Sequence, residues 1–163
     1  MTMTKVCTIL VGVPASGKST WVDQDFDGDT WILSTDTIIT EIAEQYGLTY
    51  NEGFKDLIGF AEKVMWNDLN LAANEGDRIY IDRTNLTAKG RKRFIDKLKP
   101  FGYSFEAIVF PEPGSDALPI EEWHRRLDSR EGKTIPEQAL TSMLNSYEIP
   151  LKSEGFSDII FIS

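Results

Sequence analysis

The run Gly12-Val13-Pro14-Ala15-Ser16-Gly17-Lys18-Ser19 sets two glycines, a lysine and a hydroxyl in the spacing G-x-x-x-x-G-K-S. That spacing suits one task, wrapping backbone closely round an anion. Gly12 and Gly17 have no Cβ and can take the angles that a tight wrap demands. Consecutive N–H groups then point at phosphate oxygens, and a helix starting here adds its positive N-terminal end. On this reading the segment through Thr20 cradles a triphosphate. Lys18 reaches the β- and γ-phosphates and the Ser19 hydroxyl binds Mg²⁺.

Three further clusters carry chemistry. Ser34-Thr35-Asp36 offers a carboxylate that could take the proton of an attacking hydroxyl or help to hold a metal, or serve only as a helix N-cap. Asp82-Arg83-Thr84-Asn85 offers a metal or metal-water ligand in Asp82, with Arg83 and Asn85 nearby to fix the loop or touch an acceptor; the plain alternative is a polar turn. In Trp123 to Lys133, Arg126 and Arg130 stand four apart and share a helix face. They could clamp phosphate oxygens from a lid hinged at Gly132, or belong to a solvated basic surface; a phosphate loop in the same chain favours the lid. Lys89, Arg91, Lys92, Arg93, Lys97 and Lys99 form a basic helix, either a patch for an anionic substrate with its first turn at the site or a solvated face.

The elements that must position these residues follow from periodicity. Val6–Val11, Trp31–Ser34, Arg78–Asp82, Ser104–Phe110 and Ile159–Ile162 read as strands. Helices are expected after the loop at Ser19, round Ile38–Tyr46, over about 52–74 with an apolar stripe of Phe54, Leu57, Ile58, Ala61, Val64, Met65 and Ala72, over 88–99, over 120–130 and from Pro136 to Tyr147. Strands alternating with helices imply an α/β fold, a doubly wound parallel sheet of about five strands with helices on both faces. Ligands of such sheets lie at the carboxyl ends of the strands, where the loop and all three clusters fall.

The bulk numbers narrow the class. The chain has 163 residues, 41% hydrophobic and 26% charged, which suits one domain with a real core. A net charge of −9 argues against indiscriminate nucleic-acid binding. No apolar run or charged leader suggests a membrane segment, so the expected location is cytoplasmic, the host cytoplasm if phage-encoded. Cys7 is the only cysteine and reads as a buried, inert thiol; with His124 the only histidine, zinc sites and Ser-His-Asp triads are discounted.

Taken in order, G-x-P-x-S-G-K-S-T-W at Gly12–Trp21, Asp36, D-x-T-N-L at Asp82–Leu86 and W-x-x-R-L-x-x-R-x-G-K-x-I-P at Trp123–Pro136 resemble the small P-loop kinase family that includes the kinase domain of phage polynucleotide kinase. The resemblance covers nearly the whole chain. It implies a P-loop NTPase-type fold, ATP and Mg²⁺ as cofactors, and transfer of the γ-phosphate to a hydroxyl, commonly the 5′-hydroxyl of a DNA or RNA end. Carried over by position, Lys18 and Ser19 bind triphosphate and Mg²⁺, Asp36 is the general base, and Arg126 and Arg130 are the lid arginines. The expectation is one kinase domain over residues 1–163 with a lid at about 120–136, no phosphatase domain and no obligate protein partner. The phage enzyme has an acceptor-binding arginine just after its aspartate, whereas Asp36-Thr37-Ile38-Ile39-Thr40 has no basic residue. A kinase of a small acceptor (nucleoside, nucleotide or antibiotic) and a nucleotide-binding switch without an acceptor are the alternative readings.

Overall fold

The structure is a computed structural model and describes residues 4–163; residues 1–3 of the expected domain lie outside the described residues. The strands β1 (Val6–Val11), β2 (Trp31–Leu33), β3 (Arg78–Ile81), β4 (Ser104–Val109) and β5 (Asp158–Phe161) form one sheet in the order β2-β3-β1-β4-β5. Every neighbouring pair is parallel, with Val6 of β1 opposite Arg78 on one side and Ser104 on the other. The central strand is apolar almost throughout because both of its faces are covered.

Strand alternation divides the core into two layers. Cys7, Ile9 and Val11 point to the face covered by α3 (Tyr50–Glu75) and α4 (Ala88–Leu98), where they meet Met65, Leu69, Phe94, Ile95 and Leu98. Leu10, Tyr80, Ile108 and Phe110 point to the other face and meet Val22 of α1 (Lys18–Asp25). A third cluster sits above the strand ends. Val13 and Leu86 pack there against Leu118, Trp123 of α5 (Ile120–Asp128) and Leu140 of α6 (Glu137–Ser146).

Local signals set the helix starts that matter for the site. The helix α2 (Thr35–Gln45) is capped by Ser34, whose Oγ accepts from the Thr37 amide at 3.3 Å. Asp36 is therefore not the cap, and its carboxylate lies free of the helix backbone. The start of α3 is closed by a capping box in which Thr49 Oγ1 accepts from the Glu52 amide while Glu52 Oε1 accepts from the Thr49 amide. The helix thus begins two residues ahead of expectation.

Two expectations are corrected. The stripe on α3 does not lie wholly in the core: Phe54 is 41% exposed, and Leu69 and Ala73 take core positions instead. The first turns of α3 pack against α2, with the buried Gly53 beside Ala43, and Phe54 and Ile58 line the cleft described below. Arg91 does not belong to the exposed face of the basic helix. None of the residues of α4 lines the cleft described below, and Arg91 is 0% exposed. Its guanidinium makes a two-pronged pair with Glu154 at 2.8 and 3.0 Å and donates to the Asn85 carbonyl at 2.9 Å. Among the described residues no helix is long and apolar enough to cross a membrane.

Candidate active site

A cleft of about 1500 Å³ opens at the carboxyl ends of β1, β2 and β3. The phosphate loop forms its floor. Gly17, the N-cap of α1, has φ 109° and Ala15 has φ 62°, so the loop holds two left-handed residues, one of them not glycine. A Cβ at Gly12 would stand 2.6 Å from Ser16 Oγ and 3.0 Å from Phe110 Cβ, so only glycine fits. The loop is tied down from behind, because the Gly12 amide donates to the Thr84 carbonyl at 3.0 Å.

The donors suit a polyphosphate. Ser16 Oγ is buried without a hydrogen-bond partner. Lys18 Nζ donates to the Gly12 and Val13 carbonyls at 2.9 and 2.8 Å, which holds the ammonium over the loop. Burial pulls its pKa down to about 8, while Asp82 and Asp36 resist that fall. Ser19 and Thr20 open α1 and line the cleft.

Residues expected in a lid line the cleft beside the loop. Trp123 Nε1 donates to the Pro14 carbonyl at 2.7 Å and so fixes α5 on the crest of the loop. Arg126 lines the cleft, with Nε on Glu122 at 3.0 Å and Nη1 on the Ala15 carbonyl at 3.4 Å. Arg130 also lines the cleft, and its Nε and Nη2 are buried with no hydrogen-bond partner. Burial lowers its pKa, and Asp36 and Tyr50 oppose that. Two orphaned guanidinium atoms and an orphaned hydroxyl, both residues lining one cleft, are a donor set without its acceptors.

Asp36 stands on the first turn of α2 and faces the same cleft. Its Oδ1 accepts from Tyr50 Oη at 2.7 Å and its Oδ2 from Lys133 Nζ at 3.0 Å. Desolvation pushes its pKa upward, but Lys133, Tyr50 and Lys18 outweigh that and hold it below the ordinary carboxylate value. Asp82, at the end of β3, has the reverse balance. Desolvation raises its pKa and Asp36 adds to this, with Lys18 and Lys133 compensating only in part. Among the described residues no three His, Cys, Asp or Glu side chains converge as a metal site.

The remaining candidates are placed differently. Arg83 lines the cleft but is paired with Glu62 at 2.7 Å. Asn85 does not line it: its buried Nδ2 donates to the Leu10, Ile81 and Arg83 carbonyls at 2.7, 3.1 and 3.2 Å, and its backbone is left-handed at φ 49°. Sequence reasoning missed Tyr50, Lys133 and the aromatic wall at Phe54. Only Lys133 had a signal, its place directly after Gly132 in the G-K-x-I-P segment.

The comparisons agree with this fold. A curated relative, Transcription factor bHLH140 of Arabidopsis thaliana, is 28% identical over 160 residues, which is 96% of this chain and 16% of that protein. Another, the Bifunctional polynucleotide phosphatase/kinase of Schizosaccharomyces pombe, is 26% identical over 151 residues, 93% of this chain and 32% of that protein. The chain thus spans less than a third of the length of either. A solved structure from Chloroflexus aurantiacus superposes with TM-score 0.69 at 16% identity, covering 98% of this chain and 88% of that one. Residues 8–150 match the family AAA_33, described as an AAA domain, so the chain, with its five parallel strands and glycine-rich loop, belongs to that family and has a P-loop NTPase-type fold.

Proposed function

We propose that this domain is an ATP-dependent phosphotransferase with a hydroxyl acceptor. The observation that carries the reading is that one cleft holds both the phosphate loop with the orphaned donors of Arg130 and, on its wall, the Asp36 carboxylate. The first supports a triphosphate, and the second supplies a proton acceptor. The acceptor oxygen bonds to the γ-phosphorus while the bond from that phosphorus to the β–γ bridging oxygen breaks. ADP leaves, and the hydroxyl proton passes to an Asp36 oxygen. Lys18, Arg126 and Arg130 hold the phosphate oxygens in line and spread the developing charge. Ser19 and Asp82 would hold Mg²⁺, which needs only one or two side-chain ligands when phosphate oxygens and waters complete its shell. When bound, that ion neutralises charge on the phosphates.

The 5′-hydroxyl of a DNA or RNA end is the acceptor we favour, supported by the ordered motifs and by the fission-yeast relative, whose name states a polynucleotide kinase. A small hydroxyl acceptor is the second reading. It is favoured by the pairing of Arg83 with Glu62 and by the burial of Arg91, which leave neither free for a backbone phosphate.

The test is labelled ATP offered with Mg²⁺ to a 5′-hydroxyl oligonucleotide and to free nucleosides, with products identified by mass. Label on the oligonucleotide, falling steeply with salt, supports the polymer; label on nucleosides supports the small acceptor. Transfer that survives intact in Asp36→Asn overturns the base assignment.

A further inference from the structure

The Asp36 carboxylate is engaged on both oxygens by residues outside the phosphate machinery. Tyr50 holds Oδ1 at 2.7 Å and Lys133 holds Oδ2 at 3.0 Å. The Lys133 ammonium also lies 4.3 Å from the centroid of the Tyr50 ring, so the three groups make one compact triad. This is not a casual surface pair. The lysine side chain is the more enclosed partner, 21% exposed against 55% for Asp36.

The backbone on either side of Lys133 is seated. The Asn51 amide donates to the Gly132 carbonyl at 3.0 Å. The Asn51 side chain grips Thr134 twice, with Nδ2 on its carbonyl at 3.2 Å and Oδ1 accepting from its amide at 3.1 Å. Gly132 has φ 66°, and a Cβ there would stand 2.7 Å from Thr49 Cβ. The start of α3 therefore clasps the segment between α5 and α6 and aims its lysine at Asp36.

We infer that Lys133, aimed by the Asn51 clasp, decides between a true acceptor and water at Asp36; this rests on the phosphotransfer reading above. A hydroxyl that uses Asp36 as a base must share the carboxylate with the ammonium on Oδ2 and the phenol on Oδ1. An acceptor seated on the cleft walls, among them Phe54, Ile58 and Met143, contributes binding energy from parts remote from its hydroxyl. Water contributes none and meets a carboxylate whose charge the ammonium and phenol already share, and so a weaker base. Premature hydrolysis of ATP would need the same bond changes as transfer, with water oxygen bonding to the γ-phosphorus, ADP leaving and the proton passing to Asp36. The lysine disfavours this until an acceptor arrives.

The experiment uses Mg·ATP with no added acceptor and measures ADP release. Nucleotide binding by calorimetry and thermal melting run in parallel as controls. Lys133→Met is expected to raise ADP release about tenfold with nucleotide affinity retained. Asn51→Ala, which frees the lysine without touching Asp36, should move in the same direction, and Lys133→Arg should restore the low rate. Adding Asp36→Asn to Lys133→Met should remove the gain. ADP release in Lys133→Met at or below the wild-type rate, with binding and melting intact, overturns the inference. A wild-type protein that melts normally but binds no Mg·ATP overturns the phosphotransfer reading and this inference with it.

Discussion

Trp123 and Pro14, far apart in the chain, are joined by a 2.7 Å hydrogen bond from the indole Nε1 to the carbonyl on the crest of the phosphate loop. The bond makes α5 part of the loop's scaffold rather than a free flap. Trp123→Phe keeps most of the apolar contact and leaves the Pro14 carbonyl without its donor. The expected cost is about 1–2 kcal/mol of stability in urea unfolding, with weaker nucleotide binding by calorimetry.

Gly12→Ala tests the cradle itself. Its new Cβ would press on Ser16 Oγ at 2.6 Å and on the Phe110 side chain at 3.0 Å. The Phe110 contact lies in the core, so it relaxes only in part, and about 1–3 kcal/mol of stability is lost. Nucleotide binding should fall much further, because the displaced loop amides no longer converge on one anion. Calorimetry and circular dichroism on the same sample separate the two effects.

Asp82 links stability to pH. Its carboxyl is raised above the ordinary value of 3.8, by desolvation first and by Asp36 second. A raised acid favours the folded state most when protonated, so its contribution is present below pH 3.8 and lost as pH climbs through the folded pKa. Asp82→Asn removes that loss. The variant should melt at a higher temperature than the parent at neutral pH without nucleotide, yet transfer phosphate poorly. Equal melting temperatures at neutral pH would contradict the desolvation.

Much of this architecture can be read in the sequence, for reasons visible in particular residues. Cys7 to Val11 is apolar apart from Thr8 because both faces of β1 are covered, and that pattern has few other causes. Thr49 and Glu52 carry the T-x-x-E start signal of α3 in plain view. What is hidden is direction. Phe54 and Ile58 keep the helical period whether they face the core or a cleft, and Arg91 looks no different from the lysines around it. Only the distant Glu154 turns its guanidinium inward. The clasp of Asn51 on Thr134 joins residues 83 apart, and neither carries a local sign of it.

Glu154→Ala isolates that hidden pair. Arg91 would keep a fully buried charge with its carboxylate partner gone, a situation that costs about 3–5 kcal/mol. A fall of that size should appear in urea unfolding. Glu154→Gln, which retains an acceptor oxygen, should lose less.

The same pair carries a consequence for the order in which the domain matures. Glu154 clamps Arg91, Arg91 holds the Asn85 carbonyl, Asn85 braces the Leu10 carbonyl and the neighbouring Thr84 carbonyl anchors Gly12. On the ribosome the glycine-rich segment emerges well before its last brace, Glu154. A nascent chain halted before residue 154 would display the nucleotide signature and lack the buttress that sets it, so competence to grip ATP should arrive only once Glu154 has emerged, and all at once.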